Sequence, residues 1–416
     1  MTVNTNDLAN AKFGAAAQEK SNRGLPGVFP REMGPNTMRY LAEVVEAGLA
    51  SDMVARAERV LAEAHGRRHA ILTPGCTNAL FALFAGLDFE VGDEIVVSAV
   101  TDYGDIAGLL YEGYIPVFAD ADPDTGLSSA RTIEACLTDR TRAIVAVNFF
   151  GLPCDFDPIM DLARSRGILV IEDVCQSILA TYKGRLAGTL ADVAVFSFDS
   201  EKTLGADMGG AVLLDDDDLY DRIVNRVVAR GARDYPGFGR KHVTRGLALR
   251  ASQGAAATVL GNWEILPRQV AARQKMAALL DGKLREIPGV LTYDVPEDRT
   301  HTYWMYGFRI DQERFDCPVD TLAQEMKEQG IPCGMGRYYV LPASVPFLAE
   351  YVDQGVHPFS VPPASRKVDY DPDRVAPEAV KFMEQWIRWS WTEKYTEDDI
   401  ETIAAVVRDV CGRHAR

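Results

Sequence analysis

The sequence predicts an α/β fold with a large domain around a mainly parallel seven-stranded sheet and a smaller C-terminal α/β domain. Between residues 70 and 214, short runs rich in β-branched residues alternate with stretches of helical periodicity, which is typical of β-α-β crossovers. Several runs are apolar at every position, as expected for strands that a parallel sheet buries on both faces. The length of 416 residues suits one large and one smaller domain.

The seven predicted strands of the large sheet span residues 70–72, 94–97, 115–118, 143–148, 168–171, 193–198 and 211–214. Helical patterns between them include 78–86, 130–137 and 159–166, and four acids at 215–218 suit the start of another helix. Further on we predict a long polar loop at 230–250, a helix at 264–286, strands near 304–310 and 334–340, and a closing helix at 397–408. The predicted units are an N-terminal arm (1–33), the large domain (34–265), and a linking helix with the small domain (266–416).

Charge and composition exclude several classes of function. The formal net charge of −16 disfavours nucleic acid as a partner. Seven dispersed cysteines without a C-x-x-C indicate reduced thiols, and no apolar stretch approaches the roughly 18–20 residues of a membrane span. The first residues lack the features of a signal peptide, so we expect a cytoplasmic protein. Dinucleotide, P-loop and H-E-x-x-H motifs are absent, and no metal site is predicted.

Three runs at predicted strand ends carry candidate chemistry. The first is L-T-P-G-C-T-N-A-L at 72–80, where a strand enters a turn of small residues and a helix begins. Free backbone N–H groups around Gly75, Cys76 and Thr77 could bind a phosphate at the helix start. The alternative is an ordinary tight turn with a threonine cap.

The second run is I-E-D-V-C-Q at 171–176, where an acidic pair ends an apolar strand. A carboxylate in that position needs a cation or hydrogen-bond donors, because burial disfavours its charge. The ring nitrogen of pyridoxal phosphate (PLP) is such a cation, and an aspartate beneath it keeps it protonated. Asp173 is therefore the candidate, and a helix-capping aspartate is the alternative.

The third run is V-F-S-F-D-S-E-K-T-L at 195–204, followed by Gly209 and Gly210. Lys202 stands just beyond a buried strand. A lysine that attacks an aldehyde must be uncharged, which a desolvated pocket favours. The alternative is an exposed loop lysine. The three runs together, in this order and at strand ends, are far more specific than any one of them.

These runs resemble the DegT/DnrJ/EryC1/StrS family of sugar aminotransferases, which are fold-type I PLP enzymes. The family's G-T-x-A-L turn, E-D-x-x-Q strand end and S-F-x-x-x-K segment are matched by C-T-N-A-L at 76–80, E-D-V-C-Q at 172–176 and S-F-D-S-E-K at 197–202. The resemblance extends from about Gly34 to Cys411. It implies that Lys202 holds the cofactor and moves the proton, that Asp173 pairs with the ring nitrogen, and that Gln176 lies near the ring hydroxyl. It places the phosphate on Ser197 and on the backbone around Gly75, Cys76 and Thr77.

Some positions depart from the family pattern. Where the family has an aromatic residue that stacks on the PLP ring, this chain has Asp102, and Tyr103 is the substitute we expect. The G-x-N-x-R run, which reaches a neighbouring subunit's cofactor phosphate, reads G-L-A-L-R here and ends at Arg250. The H-Y-x-P-L-H stretch near the substrate is replaced by G-R-Y-Y-V-L at 336–341. The candidate substrate contacts are Arg250, His301, Trp304, Arg337, Tyr338 and Tyr339, with packing in the second domain as the alternative.

The function that follows is PLP-dependent transfer of an amino group from glutamate or glutamine to a keto sugar, nucleotide-linked sugar or ketocyclitol. The run S-F-D-S-x-K-T and the later S-W-T at 390–392 resemble a branch that aminates eight-carbon sugars. Relatives build their active sites at a dimer interface, so a homodimer is expected. One relative with histidine at the lysine position dehydrates a sugar, and Lys202 argues against that reaction. A PLP lyase or dehydratase, and a scaffold protein that lost catalysis, stay open as alternatives.

Overall fold

The computed structural model describes residues 24–227, 241–242, 244–362 and 368–416. The first 23 residues of the predicted N-terminal arm and most of the predicted loop at 230–250 lie outside the described residues. The described residues include all three strand-end runs that carry candidate chemistry.

The described part of the chain forms twelve strands. They are β1 His69–Thr73, β2 Glu94–Ser98, β3 Ile115–Ala119, β4 Thr141–Val147, β5 Leu169–Asp173, β6 Thr181–Tyr182, β7 Arg185–Leu186, β8 Val193–Ser197, β9 Gly210–Leu214, β10 Val290–Thr292, β11 Met305–Ile310 and β12 Trp386–Ser390. All seven strands predicted between residues 70 and 214 are confirmed, with ends within two residues of the predicted bounds.

Fifteen α-helices lie among the same described residues. They are α1 Thr37–Glu46, α2 Met53–His65, α3 Cys76–Leu87, α4 Gly104–Glu112, α5 Ala130–Glu134, α6 Phe156–Arg166, α7 Asp217–Val227, α8 Gln253–Trp263, α9 Leu266–Leu284, α10 Val319–Glu328, α11 Leu341–Ser344, α12 Phe347–Gln354, α13 Pro372–Val375, α14 Pro377–Gln385 and α15 Glu397–Arg413. None of these described helices combines the length and the apolar character that crossing a bilayer requires.

The large sheet is mainly parallel, as predicted. Its seven strands follow the order β1-β9-β8-β5-β4-β2-β3, and only β9 runs antiparallel to its two neighbours. β1, β5 and β8 therefore point the same way, and their carboxyl ends meet at one edge. Ligands of open α/β sheets bind at that edge. The fold thus brings the three strand-end runs together.

The small sheet differs from the prediction in one strand. The order is β10-β11-β12, all antiparallel. The predicted strand at 334–340 is wrong, because Gly336 adopts a φ of 101° and residues Arg337–Tyr339 form a 3-10 turn that leads into α11. Gly334 makes only an isolated bridge to Arg388. β12, which the sequence analysis did not identify, completes the sheet by pairing with β11.

Apolar residues of the second half of the chain divide between two cores. Val340, Leu341 and Trp386 are buried in the same cluster as the large sheet. Residues of α9, β11 and α15 form a second cluster with each other. Part of the predicted small domain therefore packs on the large sheet, so that side chains from both predicted units border the edge where β1, β5 and β8 end. The boundary at 265/266 stays a prediction.

Candidate active site

A cavity of about 420 Å³ opens at the carboxyl edge of the large sheet. It collects residues from the three strand-end runs and from the segments after β2 and before β11. Its lining consists of Gly75, Cys76, Thr77, Asn78, Leu80, Thr101, Asp102, Gly104, Asp105, Asp173, Cys175, Gln176, Ser197, Asp199, Glu201, Lys202, Met208, Gly209, Trp304, Tyr338 and Tyr339. Most of the residues predicted to bind the cofactor thus lie around one space.

The start of α3 offers free backbone donors to this cavity. Gly75 is the N-cap residue in an extended conformation, and no side chain caps the helix. The Thr73 hydroxyl donates to the Gly75 carbonyl at 2.9 Å and is not a cap, so the threonine-cap alternative is not what the structure shows. The described part of the chain supplies no acceptor to the N–H groups of Cys76 and Thr77. Such a helix start favours an anion, because its donors and dipole are uncompensated.

Asp173 ends β5 and is 7% exposed. One of its oxygens accepts the Cys175 backbone N–H at 2.7 Å. Burial raises the pKa of Asp173, while hydrogen bonds from Cys175 and the positive charge of Lys202 oppose that rise. A cation that enters the cavity would also hold the carboxylate in its charged form.

The other member of the acidic pair, Glu172, has a structural role. Its carboxyl accepts the Asn148 side-chain amide at 2.9 Å and the Leu190 backbone N–H at 3.0 Å, away from the cavity lining. Burial raises the pKa of Glu172 to about 7. The strand alternation that sends successive side chains to opposite faces explains why only one of the two acids lines the cavity.

Lys202 lies in the turn after β8, where its backbone N–H donates to the Asp199 carbonyl at 2.9 Å. Its Nζ lies 4.2 Å from the centroid of the Trp304 ring, a cation–π contact. Trp304 is fixed in turn, because its indole N–H donates to the Glu201 carbonyl at 3.1 Å. Lys202 is therefore a cavity residue held against an aromatic wall, which the exposed-lysine alternative does not describe.

Gln176 and Ser197 also line the cavity. The Gln176 side-chain oxygen accepts the Phe150 backbone N–H at 2.7 Å, which fixes the amide group. The amide nitrogen makes no hydrogen bond with the described residues. It is therefore a donor that remains for a ligand hydroxyl. Ser197 ends β8, and its hydroxyl accepts the Asp199 N–H at 3.4 Å.

The structure does not bring Tyr103 or Arg250 to the cavity. Tyr103 is 44% exposed, and its ring meets Phe347 edge-on with 6.2 Å between centroids. Arg250 is exposed and lines a separate cleft beside Ala248 and Tyr220. The predicted stacking role of Tyr103 therefore has no support from this arrangement, and Arg250 has no contact with the cavity of its own chain.

His301 and Arg337, two predicted substrate contacts, are also absent from the lining. His301 is 4% exposed, its Nδ1 accepts the Tyr303 backbone N–H at 2.8 Å, and the two rings stack. Arg337 forms ion pairs with Glu384 and Asp373 on the surface. Both residues have structural partners, which agrees with the packing alternative, and their role as substrate contacts stays a prediction.

Trp304, Tyr338 and Tyr339 do line the cavity, as predicted for substrate contacts. Tyr339 packs edge-on against Phe149, and its carbonyl accepts the Thr101 backbone N–H at 2.9 Å. Tyr338 is 70% exposed at the entrance. These three rings come from the second half of the chain and form an aromatic wall opposite the strand ends.

Sequence reasoning missed several cavity residues, above all Asp105, Asn78, Cys175 and Glu201. Asp105 lies in the first turn of α4, where an acid is explained by the helix dipole alone. The available signal was position, because Asp105 follows a strand of the parallel sheet by seven residues and so returns to the same edge. Cys175 occupies a variable position of the E-D-x-x-Q run.

The cavity fits PLP. The unpaired N–H groups of Cys76 and Thr77 suit its phosphate, the buried carboxyl of Asp173 suits a protonated ring nitrogen, and Lys202 suits its aldehyde. When bound, PLP supplies an electron sink that stabilises negative charge on the carbon next to the amino group. In this arrangement Lys202 would exchange protons with the group that the cofactor carries, and Asp173 and the start of α3 would hold and orient the cofactor.

Comparisons with known proteins agree with this arrangement. The model of the DegT/DnrJ/EryC1/StrS aminotransferase family matches residues 32–408. GDP-perosamine synthase of Caulobacter vibrioides is 31% identical over 300 residues, which cover 71% of this chain and 80% of that enzyme. UDP-2-acetamido-2-deoxy-3-oxo-D-glucuronate aminotransferase of Pseudomonas aeruginosa is 32% identical over 290 residues, or 70% and 77% of the two chains.

The fold is shared with solved aminotransferases. An aminotransferase from Psychrobacter cryohalolentis has a TM-score of 0.80 at 24% identity, with 92% of this chain and 98% of that chain covered. A family match over most of the chain, a shared fold and a cavity that fits the cofactor lead to one conclusion. The chain belongs to the DegT/DnrJ/EryC1/StrS aminotransferase family and is a PLP-dependent aminotransferase.

Proposed function

We propose that this enzyme moves an amino group from glutamate or glutamine to the keto group of a nucleotide-linked sugar, with an octose or a ketocyclitol as other members of the same acceptor class. The observation that carries the proposal is the meeting of Lys202, Asp173 and an aromatic wall in one cavity. Two relatives named for GDP- and UDP-linked sugars support the acceptor class. Such a product suits the biosynthesis of a polysaccharide or natural product.

The entrance of the cavity is suited to a sugar ring. Trp304, Tyr338 and Tyr339 offer aromatic faces, on which the C–H face of a sugar packs well. Asp199 and Glu201, which also line the cavity, offer oxygens that can accept hydroxyl protons. This combination of apolar faces and acceptors favours a polyhydroxylated ring over an aliphatic amino acid side chain.

Proton transfer is the task of Lys202. Its amine must be free to accept a proton, and the Trp304 ring 4.2 Å away removes water from one side of it. Asp173 contributes from the sheet edge by holding positive charge on the ring nitrogen. General acid–base transfer by one positioned group contributes roughly 10²–10⁴-fold to a rate, and this is the contribution that we assign to Lys202.

The lyase or dehydratase alternative is not favoured, since the family and the relatives are aminotransferases. A scaffold without catalysis is also disfavoured, because Lys202 and Asp173 line the same cavity. The two alternatives differ from transamination in a simple product. Only an aminotransferase converts glutamate to 2-oxoglutarate in proportion to the bound cofactor and then aminates a ketone.

The test uses the PLP-loaded enzyme with L-glutamate or L-glutamine and no acceptor, followed by a panel of GDP-, UDP- and dTDP-linked keto sugars and ketocyclitols. We expect one equivalent of keto acid per bound PLP, and then an aminated product with one acceptor class. Lys202→Ala is the inactive control. Loss of water from an acceptor without consumption of donor would support the dehydratase and overturn the proposal.

We also propose a homodimer in which Arg250 acts on the partner's site. Arg250 is exposed and lines a cleft separate from the cavity of its own chain, as a residue that serves another subunit would. The test mixes two inactive variants, Lys202→Ala and Arg250→Ala, under conditions of subunit exchange. Recovered activity is expected, because one mixed site carries both native residues. A monomer in solution, or no recovery, would contradict the proposal.

A further inference from the structure

A second buried carboxyl group lines the same cavity as Asp173. Asp105, in the first turn of α4, is 0% exposed and lines the cavity. Asp173 lines the same cavity and is 7% exposed, and the negative charge of each acid acts on the other. Two carboxylates that share one buried space repel each other, so such a pair favours a state in which one acid carries a proton.

The surroundings decide which acid keeps the proton. Asp173 accepts the Cys175 backbone N–H at 2.7 Å and receives the positive charge of Lys202, and both stabilise its ionised form. Asp105 accepts one hydroxyl, from Thr101, and no donor of the described residues reaches its other oxygen, Oδ1. The ionised form of Asp105 would therefore be a buried charge with a single donor, which is the more costly arrangement.

The charges around Asp105 act in the same direction. Asp173 and Asp102 are both acids, and their negative charges together with burial raise the pKa of Asp105 well above its usual range. The thiols of Cys76 and Cys175 lie in the same group of side chains, in contact with each other at 3.0 Å. Lys202 is the cation of this group, and its charge acts on Asp173.

We propose that Asp105 is a positioning residue that stays protonated at neutral pH and donates a hydrogen bond to Asp173. Asp173 then remains the ionised member of the pair and is oriented for the ring nitrogen of PLP. The proposal rests on the assignment of PLP to this cavity, but the proton on Asp105 belongs to the protein without its cofactor. Its presence can therefore be tested independently of PLP.

The first test is thermal unfolding of the cofactor-free protein between about pH 5 and 9. An acid with a raised pKa in the folded state stabilises the fold fully below its unfolded pKa of about 3.9, and this contribution is lost as the pH rises. Asp105→Asn keeps a neutral donor and cannot ionise. The melting temperature of this variant, relative to that of the wild type, should therefore rise as the pH is raised. Asp320→Asn, which changes an exposed acid in the first turn of α10 outside the cavity lining, is the matched control.

A gain for Asp105→Asn that is constant with pH, or no larger than that of Asp320→Asn, would overturn the protonated assignment. The second test titrates PLP into wild type, Asp105→Asn and Asp105→Ala and follows cofactor absorbance. Asparagine should keep PLP affinity close to wild type, whereas alanine should weaken it roughly 10-fold by removing a hydrogen bond to a charged group. Equal loss in both variants, or no loss in alanine, would refute the positioning role.

The two tests separate the possible failures. If wild-type protein does not bind PLP, the cofactor assignment fails, and the pH-dependent gain of Asp105→Asn still reports the proton. If wild-type protein binds PLP but the gain is absent, only the role of Asp105 fails. If Asp105→Ala does not fold, the comparison of Asp105→Asn with wild type in both tests still decides the matter.

Discussion

The two ends of the cavity are formed by different kinds of segment of the chain. The end that holds Gly75, Asp173 and Ser197 is made of strand ends in one parallel sheet, where backbone hydrogen bonds fix each position. The end that holds Trp304 and Tyr339 is made of the segment before β11 and of the 3-10 turn at Arg337–Tyr339, both from the second half of the chain. The first end is suited to a constant cofactor, and the second to a substrate that differs between relatives.

The largest expected effect is at the cofactor end. Lys202→Ala should reduce the rate of amine transfer by roughly 10²–10⁴-fold, because the lysine that we propose moves the proton is lost. Transfer is measured by keto acid release from glutamate. Lys275→Ala, an exposed lysine paired with Glu397, is the control and should keep the wild-type rate. A Lys202→Ala rate within a factor of a few of the wild-type rate would contradict the proposal that Lys202 carries out proton transfer at the cofactor end.

Trp304 joins the two ends and should show a graded effect. Trp304→Ala should cost about 3–5 kcal/mol of unfolding free energy, because a buried ring is lost. Trp304→Phe keeps a ring near Lys202 and loses only the hydrogen bond to the Glu201 carbonyl, which costs about 1 kcal/mol. Urea unfolding measures both values. Equal costs for the two variants would show that the ring itself contributes little.

Substitution of His301 tests whether this histidine is a buried, neutral residue that packs near the substrate end. Burial lowers the pKa of His301 to about 3. In the unfolded chain a histidine is protonated below a pH of about 6.5, whereas His301 in the folded protein stays neutral there. Stability is therefore fully present above pH 6.5 and is lost as the pH falls towards 3. Between pH 6.5 and 5 the free energy of unfolding of the wild type should therefore fall by about 2 kcal/mol more than that of His301→Asn, which urea unfolding measures. Parallel pH profiles of the two proteins would contradict the buried, neutral histidine.

Arg337 should show the smallest effect. Its ion pairs with Glu384 and Asp373 are exposed, so Arg337→Ala should change the unfolding free energy by less than about 1 kcal/mol. The transfer rate should stay close to wild type, since Arg337 does not line the cavity. A large rise in the KM for the keto sugar would support Arg337 as a substrate contact and would show that the substrate end extends as far as Arg337.

The same division explains what the sequence could predict. The position of Asp173 and Lys202 at one sheet edge could be predicted because apolar runs indicate parallel strands, and the residues that follow parallel strands meet at a common edge. The strand predicted at 334–340 was wrong, because Gly336 turns the chain where the alternation of residue types suggested extension. The local sequence pattern predicts the strands of the sheet, but it does not predict how distant segments pack against each other.

The predicted site residues that lie outside the cavity lining are ones whose positions depend on packing between distant segments. Tyr103 turns to Phe347, which lies more than 200 residues away along the chain. His301 is enclosed by Tyr293 and Tyr303, so a histidine that suggested function became part of a core. The position of Asp105 at a helix start explains the acid locally, so the local sequence offers no reason to place it in the same cavity as Asp173.

The most direct test of the central claim is to identify the lysine that bonds to PLP. Protein loaded with PLP is reduced with borohydride, digested, and analysed by mass spectrometry. We predict a pyridoxyl group on the peptide that contains Lys202, and its loss in Lys202→Ala while Lys275→Ala keeps it. A label on another lysine, or a reduced protein without any label, would contradict the assignment of this cavity to PLP.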